Sequence, residues 1–127
     1  MPEVESRPIL CIFDFDQTVI DCNSDTWIHK LGPGEKVPIE LRKDVEWTEY
    51  MRRTFEYLFK NGVTRGDYEK CLKQMPFVAG MKELFTTLAN AKDINGLPKY
   101  EILICSDSNT FFISTFLEHH KFDTAIK

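Results

Sequence analysis

Two aspartates two residues apart, Asp14 and Asp16, close an apolar run, Leu10-Cys11-Ile12-Phe13, and are followed by Gln17 and Thr18. Close carboxylates repel, so both stay ionised only where a cation or hydrogen-bond donors hold them. Mg²⁺ suits such a pair, because it takes one or two carboxylates and fills its shell with water and phosphate oxygens. One carboxylate can then attack phosphorus and form an aspartyl phosphate. The other can give a proton to the leaving group and later take one from water. A second set follows another apolar run: Ser106, Asp107, Ser108 and Asn109 come after Ile102-Leu103-Ile104-Cys105. A hydroxyl there can hold a phosphate oxygen, with a helix amino end facing the same anion. Ser-Asp-Ser-Asn is also how an ordinary helix N-cap is written, and it is the pairing with the first set that favours phosphate.

Both apolar runs have the length and composition of parallel strands buried on two faces. In an open parallel sheet, ligands bind beyond the carboxyl ends of the strands, where both sets would lie. Were the first strand to continue, Asp14 and Asp16 would point to one side and Phe15 to the other. Between the two sets the pattern is helical. Met51, Phe55, Leu58 and Phe59 fall on one helix face, which Asn61-Gly62 ends. Thr64 reads as the N-cap of a second helix with Asp67 in its first turn; Tyr68, Cys71, Leu72 and Met75 form its apolar face, and Pro76 closes it. Met81, Leu84, Phe85, Leu88 and Ala89 mark a third helix, the stretch around Asn95-Gly96 a turn, and Thr110 to His120 a last helix.

The two motifs, in this order and with helices between them, resemble the first and second motifs of the haloacid dehalogenase-like phosphatases. The likeness is closer still to the branch that acts on phosphoethanolamine, phosphocholine and pyridoxal phosphate. It rests on Phe13 to Asp21, Asn23-Ser24-Asp25, Tyr50 to Phe55, Pro76, Gly80-Met81 and Ile104 to Phe111. The resemblance implies an α/β fold: part of a doubly wound, Rossmann-like parallel-sheet core from 8–21 and 77–127, with a helical cap inserted at 22–76. It implies a Mg²⁺-dependent phosphomonoester phosphatase for a small phosphorylated metabolite, amine-bearing or a vitamin phosphate. Asp14 would be nucleophile and metal ligand. Asp16 would be general acid and base, with its backbone carbonyl on the metal. Thr18 would order the loop around Asp16 and, with Ser106, serve the phosphate. Asp25 and Asp107 would face the head group. Read from its residues alone, Asp25 serves equally as a first-turn helix acid. Trp47, Tyr50, Phe55 and Tyr57 could line a wall for a cation, but such aromatics more often pack.

The family also carries a third motif with a Lys or Arg and a fourth with an acidic pair, and neither is found after Thr110. The chain would then stop about halfway through that core, and a non-catalytic phosphate-binding fragment stays open beside catalysis. A phosphoserine-type phosphatase and a phospho-accepting receiver domain are further alternatives; the receiver fits less well with a long helical insertion after the first strand. The 127 residues carry a formal charge of −4, which offers no basic stripe for nucleic acid. No apolar stretch approaches a membrane span, and Met1 to Glu5 lacks the pattern of a signal peptide. A cytoplasmic setting is expected. Cys11 and Cys105 read as small buried hydrophobes. No Cys-x-x-Cys marks a zinc site, and His119 and His120 read as solvated.

Overall fold

The computed structural model describes residues 7–126; the Met1–Glu5 start and Lys127 lie outside them. Two five-residue strands, β1 (Ile9–Phe13) and β2 (Tyr100–Ile104), pair in parallel, with Ile9 beside Tyr100 and Phe13 beside Ile104. On the far side of β2, Ile126 makes an isolated parallel bridge to Ile102. The helices in order are α1 (Ser24–Trp27), α2 (Trp47–Lys60), α3 (Arg65–Leu72), α4 (Met81–Asn90) and α5 (Thr110–His119). Three 3₁₀ turns, Ile28–Leu31, Pro33–Glu35 and Ile39–Arg42, connect α1 to α2. The fold is a mixed α/β arrangement consistent with part of a Rossmann-like core. Among the described residues, no helix is long and apolar enough to cross a membrane.

Local sequence rules place the helices. Helix α2 ends in a Schellman motif: Gly62 N–H donates to the Phe59 carbonyl and Val63 N–H to the Leu58 carbonyl, each at 3.0 Å. Gly62 sits at φ 81°, where the absence of a Cβ removes the steric cost. Thr64 and Asp67 then start α3 with a reciprocal capping box. Helix α5 ends by the same motif, Lys121 N–H to the Glu118 carbonyl and Phe122 N–H to the Leu117 carbonyl. Here the left-handed position, at φ 63°, is filled by Lys121.

The chain leaves the strand layer beside the point where it returns. Asp21 N–H donates to the Pro76 carbonyl at 2.8 Å, and Val78 N–H to the Val19 carbonyl at 2.9 Å. Ile20 and Phe77 form an antiparallel bridge there. One continuous core joins the helices of 22–76 to the strands, with Met51, Leu58 and Leu72 packed into the same cluster as Phe15, Phe85, Phe112 and Phe116. Each fully buried phenylalanine contributes roughly 1.5–3 kcal/mol by burial. Edge-to-face ring contacts, Phe13 on Phe85 at 5.2 Å and Phe15 on Phe116 at 5.7 Å, fix their orientation.

Several expectations from the pattern are corrected. Strand β1 is not buried: Ile9, Leu10 and Ile12 are 56, 52 and 59% exposed. Among the described residues β1 has a strand on one side only. Cys105 is exposed and Cys11 only half-buried, because Cys105 lies past the last residue of β2 and Cys11 belongs to the uncovered strand. Phe59 keeps the helical spacing but is 79% exposed, since it lies in the last turn of α2. His120 is not solvated. Its ring packs 4.6 Å from both Phe77 and Phe116, and its Nε2 is buried without a hydrogen-bond partner.

Candidate active site

The strand ends put both motifs on one side of the sheet, as Cys105 N–H still donates to the Phe13 carbonyl at 2.9 Å before the two chains part. Strand β1 stops at Phe13, and Asp14 to Ile20 closes into a tight turn. The Phe15 carbonyl collects the N–H groups of Thr18, Val19 and Ile20. Phe15 itself is fully buried, whereas Asp14 is exposed and Asp16 half-buried. Burying that one ring anchors the turn and leaves the flanking carboxylates accessible. Gln17 adopts φ 59° between Asp16 and Thr18, a conformation a non-glycine residue occupies only where its surroundings impose it.

Each carboxylate is held by one oxygen. Asp14 Oδ1 accepts from the Phe15 N–H at 2.6 Å, and Asp16 Oδ1 accepts from the Ser24 N–H at 2.8 Å. Asp14 Oδ2 remains as a hard-oxygen ligand atom, which suits a Mg²⁺ that keeps several waters, and Asp16 Oδ2 remains for proton transfer. Among the described residues no group of three His, Cys, Asp or Glu side chains gathers as a larger cage. Half-buried Thr18 offers its hydroxyl from the same turn. Half-buried Ser106 is positioned by its own loop, its Oγ accepting from the Ser108 N–H at 3.0 Å.

Two residues that sequence reasoning did not assign join the motifs. Ser24 Oγ and Ser108 Oγ lie 2.7 Å apart and buried, 84 positions apart in the chain. Ser24 thus holds Asp16 through its N–H and the second loop through its hydroxyl. No local pattern reveals such a pair, because each serine alone reads as a helix-start residue. A buried hydroxyl left unpaired costs about 1–3 kcal/mol, so the two loops hold each other in register.

Asp25 lies near enough to Asp16 and Asp107 to feel the charge of each. Burial is the largest influence raising the Asp25 carboxyl above its usual range, and the charges of Asp16 and Asp107 raise it further; a hydrogen bond from Trp47 opposes them. Nearby, burial and then the Asp16 charge push the Cys22 thiol up to about 11, so it stays a thiol at neutral pH. Asp25 is also the first-turn acid of α1, which Asn23 caps by accepting from the Thr26 N–H. Of the four aromatics, Tyr50 is buried and Phe55 and Tyr57 pack against the core; Trp47 remains partly exposed beside Asp25. A cleft of about 480 Å³ between α2, α3 and the start of α5 is lined by Phe55, Arg65, Tyr68, Asn109 and Phe111 but by none of the aspartates. Its Asn109, the last residue of the second motif, serves as the N-cap of α5.

Residues 9–127 match the family described as Putative Phosphatase. The chain is 44% identical over 117 residues to the Homo sapiens pyridoxal phosphate phosphatase PHOSPHO2, covering 90% of this chain and 46% of that protein. It is 34% identical over 117 residues to the Homo sapiens phosphoethanolamine/phosphocholine phosphatase, covering 87% of this chain and 42% of that protein. It is also 34% identical over 112 residues to an Arabidopsis thaliana thiamine phosphate phosphatase-like protein, covering 88% and 43%. The chain spans about half the length of the curated relatives it matches. With nearly all of its length in that match, the chain belongs to the Putative Phosphatase family, in the haloacid dehalogenase-like branch that holds these enzymes.

Proposed function

We propose that this segment forms the nucleophile and phosphate-binding half of a cytosolic phosphomonoester phosphatase for a small, nitrogen-bearing metabolite. The observation that carries this reading is the Ser24–Ser108 hydrogen bond, which holds the Asp14–Asp16 turn against the Ser106 loop. An Asp14 oxygen attacks phosphorus, the ester P–O bond breaks, and Asp16 gives its proton to the departing alkoxide. Water then attacks the aspartyl phosphate, Asp16 takes the proton back, and inorganic phosphate leaves with the Asp14 carboxylate restored. Ser106 and Thr18 hold phosphoryl oxygens. Asp14, with the Asp16 carbonyl, would hold a Mg²⁺, which when bound offsets the negative charge that nucleophile and phosphate bring together.

The named substrates of the relatives, pyridoxal phosphate, phosphoethanolamine, phosphocholine and thiamine phosphate, share a phosphate ester beside a basic or cationic nitrogen. Acids placed next to an anion site make chemical sense for such a substrate, and Asp25 and Asp107 would meet the nitrogen. The segment 22–76 would act as the lid that excludes water and selects the head group. A net charge of −4 speaks against nucleic acid as a partner. The test is phosphate release from pyridoxal phosphate and phosphoethanolamine with Mg²⁺ and with chelator. Mg²⁺-dependent release that Asp14→Asn abolishes supports the assignment. Binding of the esters without release, in this chain and in a longer form carrying it, supports a phosphate-binding module instead, which the Ser106 and Thr18 hydroxyls would also serve.

A further inference from the structure

Asp25 stands where charge should drive it away. The charges of Asp16 and Asp107 both disfavour its ionised form. Against this, Trp47, 22 positions away at the first turn of α2, donates its indole N–H to Asp25 Oδ2 at 2.7 Å. The indole is itself held. The Arg42 guanidinium lies 4.5 Å from the Trp47 ring centroid and 5.4 Å from that of Tyr50. The Trp47 and Tyr50 rings meet edge-on at 5.3 Å. Tyr50 is buried, and its hydroxyl lies 3.2 Å from His29 Nε2. A rigid N–H aimed at a carboxylate among other carboxylates is a device for holding charge in place before a counter-charge arrives.

We infer that Trp47 is a positioning residue for head-group recognition, its indole N–H holding the Asp25 carboxylate in place near Asp16 and Asp107 so that it meets a substrate's ammonium or heteroaromatic cation. This rests on the phosphomonoester reading above and deepens it. With Trp47→Phe the ring contacts to Arg42 and Tyr50 persist and only the donor is lost. Asp25 then turns outward, and the preference for a cationic ester falls while phosphate binding stays.

The test is equilibrium affinity, by calorimetry in Mg²⁺ buffer, of the chain for 2-aminoethyl phosphate and for propyl phosphate, which lacks the charge. Trp47→Phe should weaken 2-aminoethyl phosphate roughly fivefold to tenfold, the upper part of the net worth of one ordinary hydrogen bond because Trp47 acts through Asp25, and propyl phosphate less than about twofold. Asp25→Asn should lose at least as much on the amine ester, and the double variant no more than Asp25→Asn alone. In the unmutated chain the Trp47 indole N–H proton resonance should move on adding 2-aminoethyl phosphate but not propyl phosphate, which keeps the inference testable should Trp47→Phe fold poorly. Equal losses for both esters, or an indole resonance indifferent to the amine, would overturn the role of Trp47 and leave the phosphatase reading standing. Failure of the unmutated chain to bind either ester removes that reading and this inference with it.

Discussion

Strands β1 and β2 are written in the same apolar vocabulary and pair residue for residue, yet they live in different surroundings. On one face Ile102 of β2 is 2% exposed while its register partner Cys11 is only half-buried, and on the other face Ile12 of β1 is 59% exposed while its partner Leu103 is half-buried. The far edge of β2 receives Ile126, and α4 packs along this strand. The far edge of β1 has no strand among the described residues. An apolar run therefore specifies extended backbone and a partner, while burial depends on what else is laid against it. The chemistry divides along the same line: β1 runs into the proposed nucleophile and acid, Asp14 and Asp16, and β2 into the phosphate-facing hydroxyl of Ser106 with Asp107 beside it.

The largest expected contrast is at those ends. Asp14→Asn removes the proposed nucleophile and should lower phosphate release at least about a hundredfold. Ser106→Ala removes one hydrogen bond to the phosphoryl group and should cost only about tenfold. Both are read in the same assay with Mg²⁺, and equal losses would erase the division of labour between the strands.

The next contrast is energetic. Ile102→Ala should destabilise by about 2–5 kcal/mol through the cavity it leaves, and Ile12→Ala by less than about 0.5 kcal/mol. Denaturant unfolding of the two variants measures this directly. An open apolar edge also invites pairing between chains. The unmutated chain should therefore self-associate as its concentration rises, and Ile12→Lys should reduce this in sedimentation without weakening the fold. A monomer at every concentration would show that β1 is already satisfied.

Helix α5, which follows β2, carries a pH-dependent contribution. Burial first, then His119 and Lys82, hold the His120 pKa below its ordinary value. A histidine with a lowered folded-state pKa binds fewer protons folded than unfolded between the two values. Stability is thus fully present above the unfolded value near 6.5 and is lost as pH falls below it. His120→Phe should flatten that part of the profile between pH 7.5 and pH 5.5, read as a difference from the parent because other groups titrate there too. A further small gain is expected just past the end of the same helix. Lys121→Gly relieves a left-handed backbone position and should add roughly 0.5–1 kcal/mol in thermal unfolding. Its counterpart at the end of α2, Gly62→Ala, should lose a similar amount.

The sequence by itself determined the local elements and the chemistry each could carry. Thr64 and Asp67 announce a helix start, Asn61-Gly62 a helix end, and two short apolar runs followed by polar clusters announce strands that end on reactive groups; each signal is read within a few residues because its physics is local. Burial and company were decided only in three dimensions. His120 and Cys105 exchanged their expected environments because packing against Phe77 and Phe116, and the point where β2 stops, are not written in their neighbours. The Ser24–Ser108 pair joins residues 84 positions apart, and the Trp47–Asp25 pair joins residues 22 apart. Such contacts depend on how the helices settle on one shared core, a sum of many weak apolar contacts that no single stretch of sequence contains.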